Sequence, residues 1–132
     1  MKQLIFGLFT LALISFGAQS VTAQTSSAHQ ESWKEMENFH QVMSASFHPT
    51  EENNFGPLRE NSALLVKRAK EWKKSVVPAG YKPEQTADVL KRLVSECRKV
   101  DQMVRKGKPD AQLTTAINSA HDVFHEILEC KE

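Results

Sequence analysis

The chain has 132 residues, with 17 basic, 16 acidic and five histidine side chains and a formal net charge of +1. This length suits one domain with a single hydrophobic core. The sequence contains no phosphate-binding loop, no glycine-rich turn and no recognisable nucleophile–base pair, and these absences favour a binding protein over an enzyme.

The first residues have the pattern of an export signal. Lys2 supplies a positive start, the apolar run 4–16 follows it, and small residues precede a cleavage point before Gln24. The run is too short for a comfortable transmembrane helix. We therefore predict a signal peptide at residues 1–23 and a mature domain at residues 24–132. The location would be periplasmic or secreted, without stable membrane insertion after cleavage.

Apolar residues recur at helical spacing in four segments, each bounded by proline, glycine or a capping residue. The first runs from Glu31 to about Phe47, the second from Pro57 to the break at Pro78, the third from Pro83 to Gly107, and the fourth from Ala111 to about Glu129. No segment alternates with period two over the length of a strand, and the connections are short. The pattern predicts an all-α, antiparallel up-down-up-down four-helix bundle.

Three of the five histidines take positions at which the helices should be apolar. His40 falls between Met36 and Met43 in the stripe of the first helix, and His121 falls in the stripe of the last helix. His125 follows His121 by one helical turn. An unpaired buried polar group costs roughly 1–3 kcal/mol, so core imidazoles need a metal ion, a haem iron or a hydrogen-bonding partner.

Helix register predicts that candidate ligands share one layer. Counting from the connections places His40, Cys97 and His121 level with one another, within about one turn, or 5 Å. Imidazoles and a thiol are a recognised ligand set for zinc or copper, and His125 can point at the same ion as His121. His48, close to the end of the first helix, is a further candidate. We predict a zinc or copper site formed by His40, His121, His125, His48 and Cys97.

Charge is unevenly distributed along the chain. Residues 24–62 carry two basic and six acidic side chains, residues 63–108 thirteen basic and five acidic, and residues 109–132 one basic and five acidic. All five histidines lie in the two acidic segments, which suits a cation site. We interpret the basic middle as a solvated face and expect no nucleic-acid partner, since export removes the usual one. The sequence is also compatible with a homodimer.

The two cysteines present a choice between a disulfide and free thiols. Exported proteins with two cysteines usually join them. The predicted register, however, separates Cys97 from Cys130 by about 15 Å along the bundle axis, whereas a disulfide needs Cα atoms within about 7 Å. The register therefore disfavours an intramolecular disulfide.

Several features together resemble the exported four-helix-bundle cytochromes of the cytochrome c′ type. These features are the export signal, a first helix with Met36 and Met43, the segment 55–63, and a last helix with histidines near its end. The resemblance implies the bundle fold and a haem cofactor. Such proteins attach haem through CxxCH, whereas this chain has His121 and His125 in that region and no CxxCH.

Two alternatives to a metal-binding function therefore stay open. One is a non-covalent, b-type haem for electron transfer or gas binding, held by Met36 or Met43 and by His121 or His125, as the resemblance implies. The other is a structural or interaction bundle whose core histidines are satisfied by hydrogen bonds.

Overall fold

The computed structural model describes residues 32–132, which form four helices in a bundle. The helices are α1 (Lys34–Glu51), α2 (Gly56–Lys74), α3 (Pro83–Arg105) and α4 (Asp110–Glu129). Consecutive helices pack against each other through short connections, which confirms the predicted all-α, antiparallel four-helix bundle. The predicted signal peptide lies outside the described residues. Nowhere in 32–132 is a helix both long enough and apolar enough to cross a membrane.

The first helix extends further than the sequence predicts. Pro49 lies inside α1, in its last turn, rather than ending the helix. Pro49 lacks the N–H that would bond back into the helix, and the chain leaves the helix shortly after it, where the backbone N–H groups of Glu52 and Asn54 both donate to the Pro49 carbonyl. The helix ends at Glu51, and the chain changes direction at Asn53, which has a φ of 61°. This extra turn carries Glu51, a residue that matters at the candidate site.

Aromatic rings fill the end of the bundle at which α1 begins. Trp33 packs edge-on against Trp72 and Tyr81, with ring centroids 5.4 and 5.3 Å apart. Phe39 lies 5.4 Å from Trp72 and 5.8 Å from Phe124, so the cluster joins all the elements at this end. Such large buried rings dominate the energetics of a small core. They fix the height of α1 relative to α4.

The last helix is bound to α3 by an ion pair, and the residue that follows it is bound to the α2–α3 connection by a backbone hydrogen bond. Arg92 forms a two-pronged ion pair with Glu126, with N–O distances of 2.7 and 2.6 Å. The Lys82 backbone N–H donates to the Cys130 carbonyl at 2.9 Å. These contacts hold the histidine-bearing end of α4 in place from the α3 side.

Contacts are much sparser between α1 and α4 than between the consecutive helices. Rings from both helices stand between the two backbones. His40 stacks on Phe124 with centroids 5.2 Å apart, and Phe47 stacks on His121. Since the distance between helix axes depends on the side chains at the contact, these rings keep α1 and α4 apart. We call this ring-lined junction of His40, Phe47, His121 and Phe124 the α1–α4 seam.

Thr86 offers a test of the core. Its side chain is fully buried, and its hydroxyl has no hydrogen-bond partner within residues 32–132. Thr86→Val keeps the shape and removes the unsatisfied hydroxyl, so we expect the free energy of unfolding to rise by about 1 kcal/mol in urea denaturation. The control Thr86→Ser keeps the hydroxyl, loses a methyl group and should destabilise the protein. A Val variant less stable than the wild type would show that the hydroxyl is satisfied.

Candidate metal centre at the α1–α4 seam

His40 does not occupy the core position that the sequence predicts. Its side chain is exposed, and the neighbouring Phe39 is fully buried instead. Burying Phe39 removes a large apolar surface from water, whereas burying His40 would cost the hydration of its ring nitrogens. The rest of the predicted stripe faces inward, with Met43 and Phe47 buried and Met36 partly buried, so the prediction is wrong at His40. His40 lies at the solvent edge of the seam, stacked on Phe124.

The two histidines of α4 come together, as their spacing predicts. His121 is half-buried and His125 is exposed, and their Nε2 atoms lie 3.3 Å apart. The Phe47 ring of α1 lies flat on the His121 ring, with centroids 3.9 Å apart and planes 6° apart. A flat stack on a side chain packed in the core restricts rotation of the imidazole. One nitrogen of the pair is thus held by α1 as well as by α4.

The separation of these two nitrogens matches the edge of a tetrahedral metal site. With metal–nitrogen bonds of about 2.0–2.1 Å, two ligands of a tetrahedral ion are about 3.3–3.4 Å apart. Adjacent ligands of a square-planar ion with the same bonds would be about 2.8–3.0 Å apart. The 3.3 Å between His121 Nε2 and His125 Nε2 therefore matches the ligand spacing of tetrahedral zinc, and small rotations of the rings would direct both lone pairs at one ion. Without metal, one Nε2–H donates to the other nitrogen.

A third imidazole, that of His48, lies in the last turn of α1. His48 donates its Nδ1–H to Glu51 Oε2 at 2.9 Å, which leaves Nε2 with a free lone pair. Metal-bound histidines very commonly have this arrangement, in which a carboxylate fixes the tautomer and raises the basicity of the ligand. Sequence reasoning missed the role of Glu51, because a helix ending at Pro49 has no i, i+3 pair at this position. If the helix had been predicted to extend past Pro49, the i, i+3 spacing of His48 and Glu51 would have predicted their pairing.

Nearby charges and burial affect the protonation of His121. Its pKa lies below the ordinary value, first because of burial and second because of the charge of His125. His48 lowers the same pKa, whereas Asp122 and Glu51 raise it. An imidazole with a lowered pKa is neutral at pH 7 and ready to bind a metal.

Cys97 is separate from this cluster. It is fully buried in α3, and burial raises the pKa of its thiol to about 12, so the group stays protonated at neutral pH. A protonated thiol is a poor metal ligand. Cys97 and Cys130 are both free and buried in the described chain. Among residues 32–132, no group of three His, Cys, Asp or Glu side chains is already close enough to enclose a metal ion.

The two methionines considered for haem lie on the inner side of α1. Met43 is fully buried in the core, and Met36 is partly buried against it. Neither of the two is exposed. Their positions are those of core-filling side chains.

Comparisons with known proteins bring no relative. No protein-family model matches the chain, and neither a curated protein nor a solved structure matches it. The resemblance to the bundle cytochromes thus rests on the sequence features alone.

The lowered pKa of His121 predicts a pH-dependent stability. In the unfolded chain this imidazole takes up its proton near the ordinary pKa of about 6.5, before the folded protein does. The contribution of neutral His121 to the free energy of unfolding is therefore complete above about pH 6.5. It is lost as the pH falls from there through the pKa that His121 has in the folded protein. We expect the free energy of unfolding in urea to decrease from pH 7.5 to pH 5.0 by more in the wild type than in His121→Asn.

An equal decrease in both proteins would show that His121 does not carry this effect. An NMR titration supplies a second readout, because His125→Gln removes a neighbouring charge and should raise the pKa of His121.

Proposed function

We propose that this protein is an exported four-helix bundle that binds one divalent transition-metal ion, zinc or copper, at the α1–α4 seam. The ligands in this proposal are His121 and His125 of α4 and His48 of α1. The observation that carries the proposal is the 3.3 Å separation of the two α4 Nε2 atoms. That distance suits a tetrahedral ion such as zinc better than a square-planar one.

Three further features support this ligand set over the one predicted from sequence. His48 has a carboxylate partner that orients its ring, as metal-ligating histidines usually have. Its charge lowers the pKa of His121, and it would link α1 to the histidine pair of α4. Cys97 is buried and protonated. Water or a carboxylate such as Glu51 would complete the coordination shell.

Binding at this position would also strengthen the bundle. The backbones of α1 and α4 contact each other less than those of consecutive helices do, and an ion held by His48 and the α4 pair would connect α1 to α4. A ligand that binds only the folded state stabilises it, by about 2.7 kcal/mol when its concentration is a hundred times Kd. The function would then be metal binding that tightens the fold, with no catalytic step required.

Isothermal titration of zinc sulfate into metal-free protein at pH 7.5 tests the proposal. We expect one zinc ion per chain, a rise in Tm on saturation, and weaker binding below about pH 6 because protons compete for the imidazoles. Loss of a residue that merely orients a ligand costs about 10–100-fold in affinity. His125→Gln and His48→Gln, which remove ligands, should therefore each cost at least as much.

The matched control is His40→Gln, which changes a seam histidine outside the proposed ligand set. Its affinity for zinc should equal that of the wild type. A large loss in His40→Gln with none in His48→Gln would overturn the proposed ligands in favour of His40. If the wild type bound neither zinc nor copper, the proposed function itself would be overturned.

A further inference from the structure

A second surface, on the side of the bundle formed by α2 and α3, is strongly basic. An open groove of about 700 Å³ runs between these helices. Lys67, Lys70 and Lys74 line it from α2, and Arg98 and Arg105 line it from α3. Because residues 67, 70 and 74 are three and four apart, they lie on one helix face, with successive rises of about 4.5 and 6 Å.

Most of these cations lack carboxylate partners. Arg105 is paired with Asp101 at 2.8 Å. Within residues 32–132, no ion pair involves Lys67, Lys70, Lys74 or Arg98. Elsewhere on α3, Lys99 and Arg92 are neutralised by Glu96 and Glu126. Unpaired cations that converge on one groove raise the local concentration of anionic ligands.

The groove also offers hydrogen-bond acceptors at its centre. Glu71 and Asp101 lie among the cations, together with the Gln102 side chain. Their carboxylate and amide oxygens retain lone pairs beyond those used by Arg68, Ser62 and Arg105. A ligand that suits this mixture carries both anionic groups and hydroxyl donors. We propose that the α2–α3 groove binds a linear anionic polysaccharide, with carboxylate or sulfate groups on the lysines and Arg98 and hydroxyl groups on the central acceptors.

Other polyanions fit the groove less well. Single-stranded nucleic acid is usually held by aromatic rings that stack on the bases, and the groove contains no aromatic side chain. An anionic membrane surface would require apolar side chains that insert beside the cations, and the apolar lining here consists of Ala63 and Val66.

Fluorescence anisotropy of end-labelled polygalacturonate and dextran sulfate, with neutral dextran as the blank, tests this proposal. We expect binding that weakens as salt rises, because it releases counterions. The double variant Lys70→Gln/Arg98→Gln should bind at least about tenfold more weakly. The matched control, Lys82→Gln/Lys108→Gln, removes the same charge from exposed positions outside the groove and should bind nearly as well as the wild type.

Circular dichroism checks that both double variants fold, and Lys67→Gln/Lys74→Gln provides a second test of the groove. Equal losses in the groove and control variants would overturn the proposal, since they would show a general charge effect. Tighter binding of oligothymidylate, or of phosphatidylglycerol vesicles, would overturn it in favour of those partners. The zinc site is not involved, so neither result bears on the proposed metal function.

Discussion

The flat stack of Phe47 on His121 is the contact on which the rest of this account depends. It is one of two ring pairs that fill the α1–α4 seam, and its centroid distance of 3.9 Å makes it the closest ring pair in the described chain. The stack restrains one imidazole, and the helical i, i+4 spacing then brings His125 to 3.3 Å from it. Because the pair is held before any ion binds, little conformational entropy would be lost on binding, which is the usual source of affinity in a preorganised site.

The bundle was predictable from the sequence because its apolar periodicity and its proline and glycine breaks all agree. Pro83 and Gly107 bracket α3 as expected, since proline suits the first turn of a helix and glycine suits its end. The site was predictable in part. The spacing of His121 and His125 is a local property of one helix, and the structure bears that pairing out. Periodicity predicted the inward side of α1 at Met43 and Phe47 but not at its edge, where tertiary packing buries Phe39 and leaves His40 exposed.

The two sides of the bundle have opposite character. The helices α1 and α4 bring histidines together at a junction filled by rings, whereas α2 and α3 bring unpaired cations together at a groove. This separation follows from chain order, since the basic segment 63–108 covers most of α2 and all of α3. The proposed cation site and the proposed anion site thus lie on different pairs of helices, and salt screens interactions between exposed charges over about 8 Å.

The central claim is that the α4 histidine pair holds a metal ion. Anomalous diffraction at the zinc absorption edge, from crystals of the protein grown with zinc, tests it most directly. The account predicts one peak about 2.0–2.1 Å from both His121 Nε2 and His125 Nε2, with the His48 ring turned toward it and the Phe47 stack retained. A zinc peak bound to neither histidine of α4, or no ordered zinc at all, would contradict it.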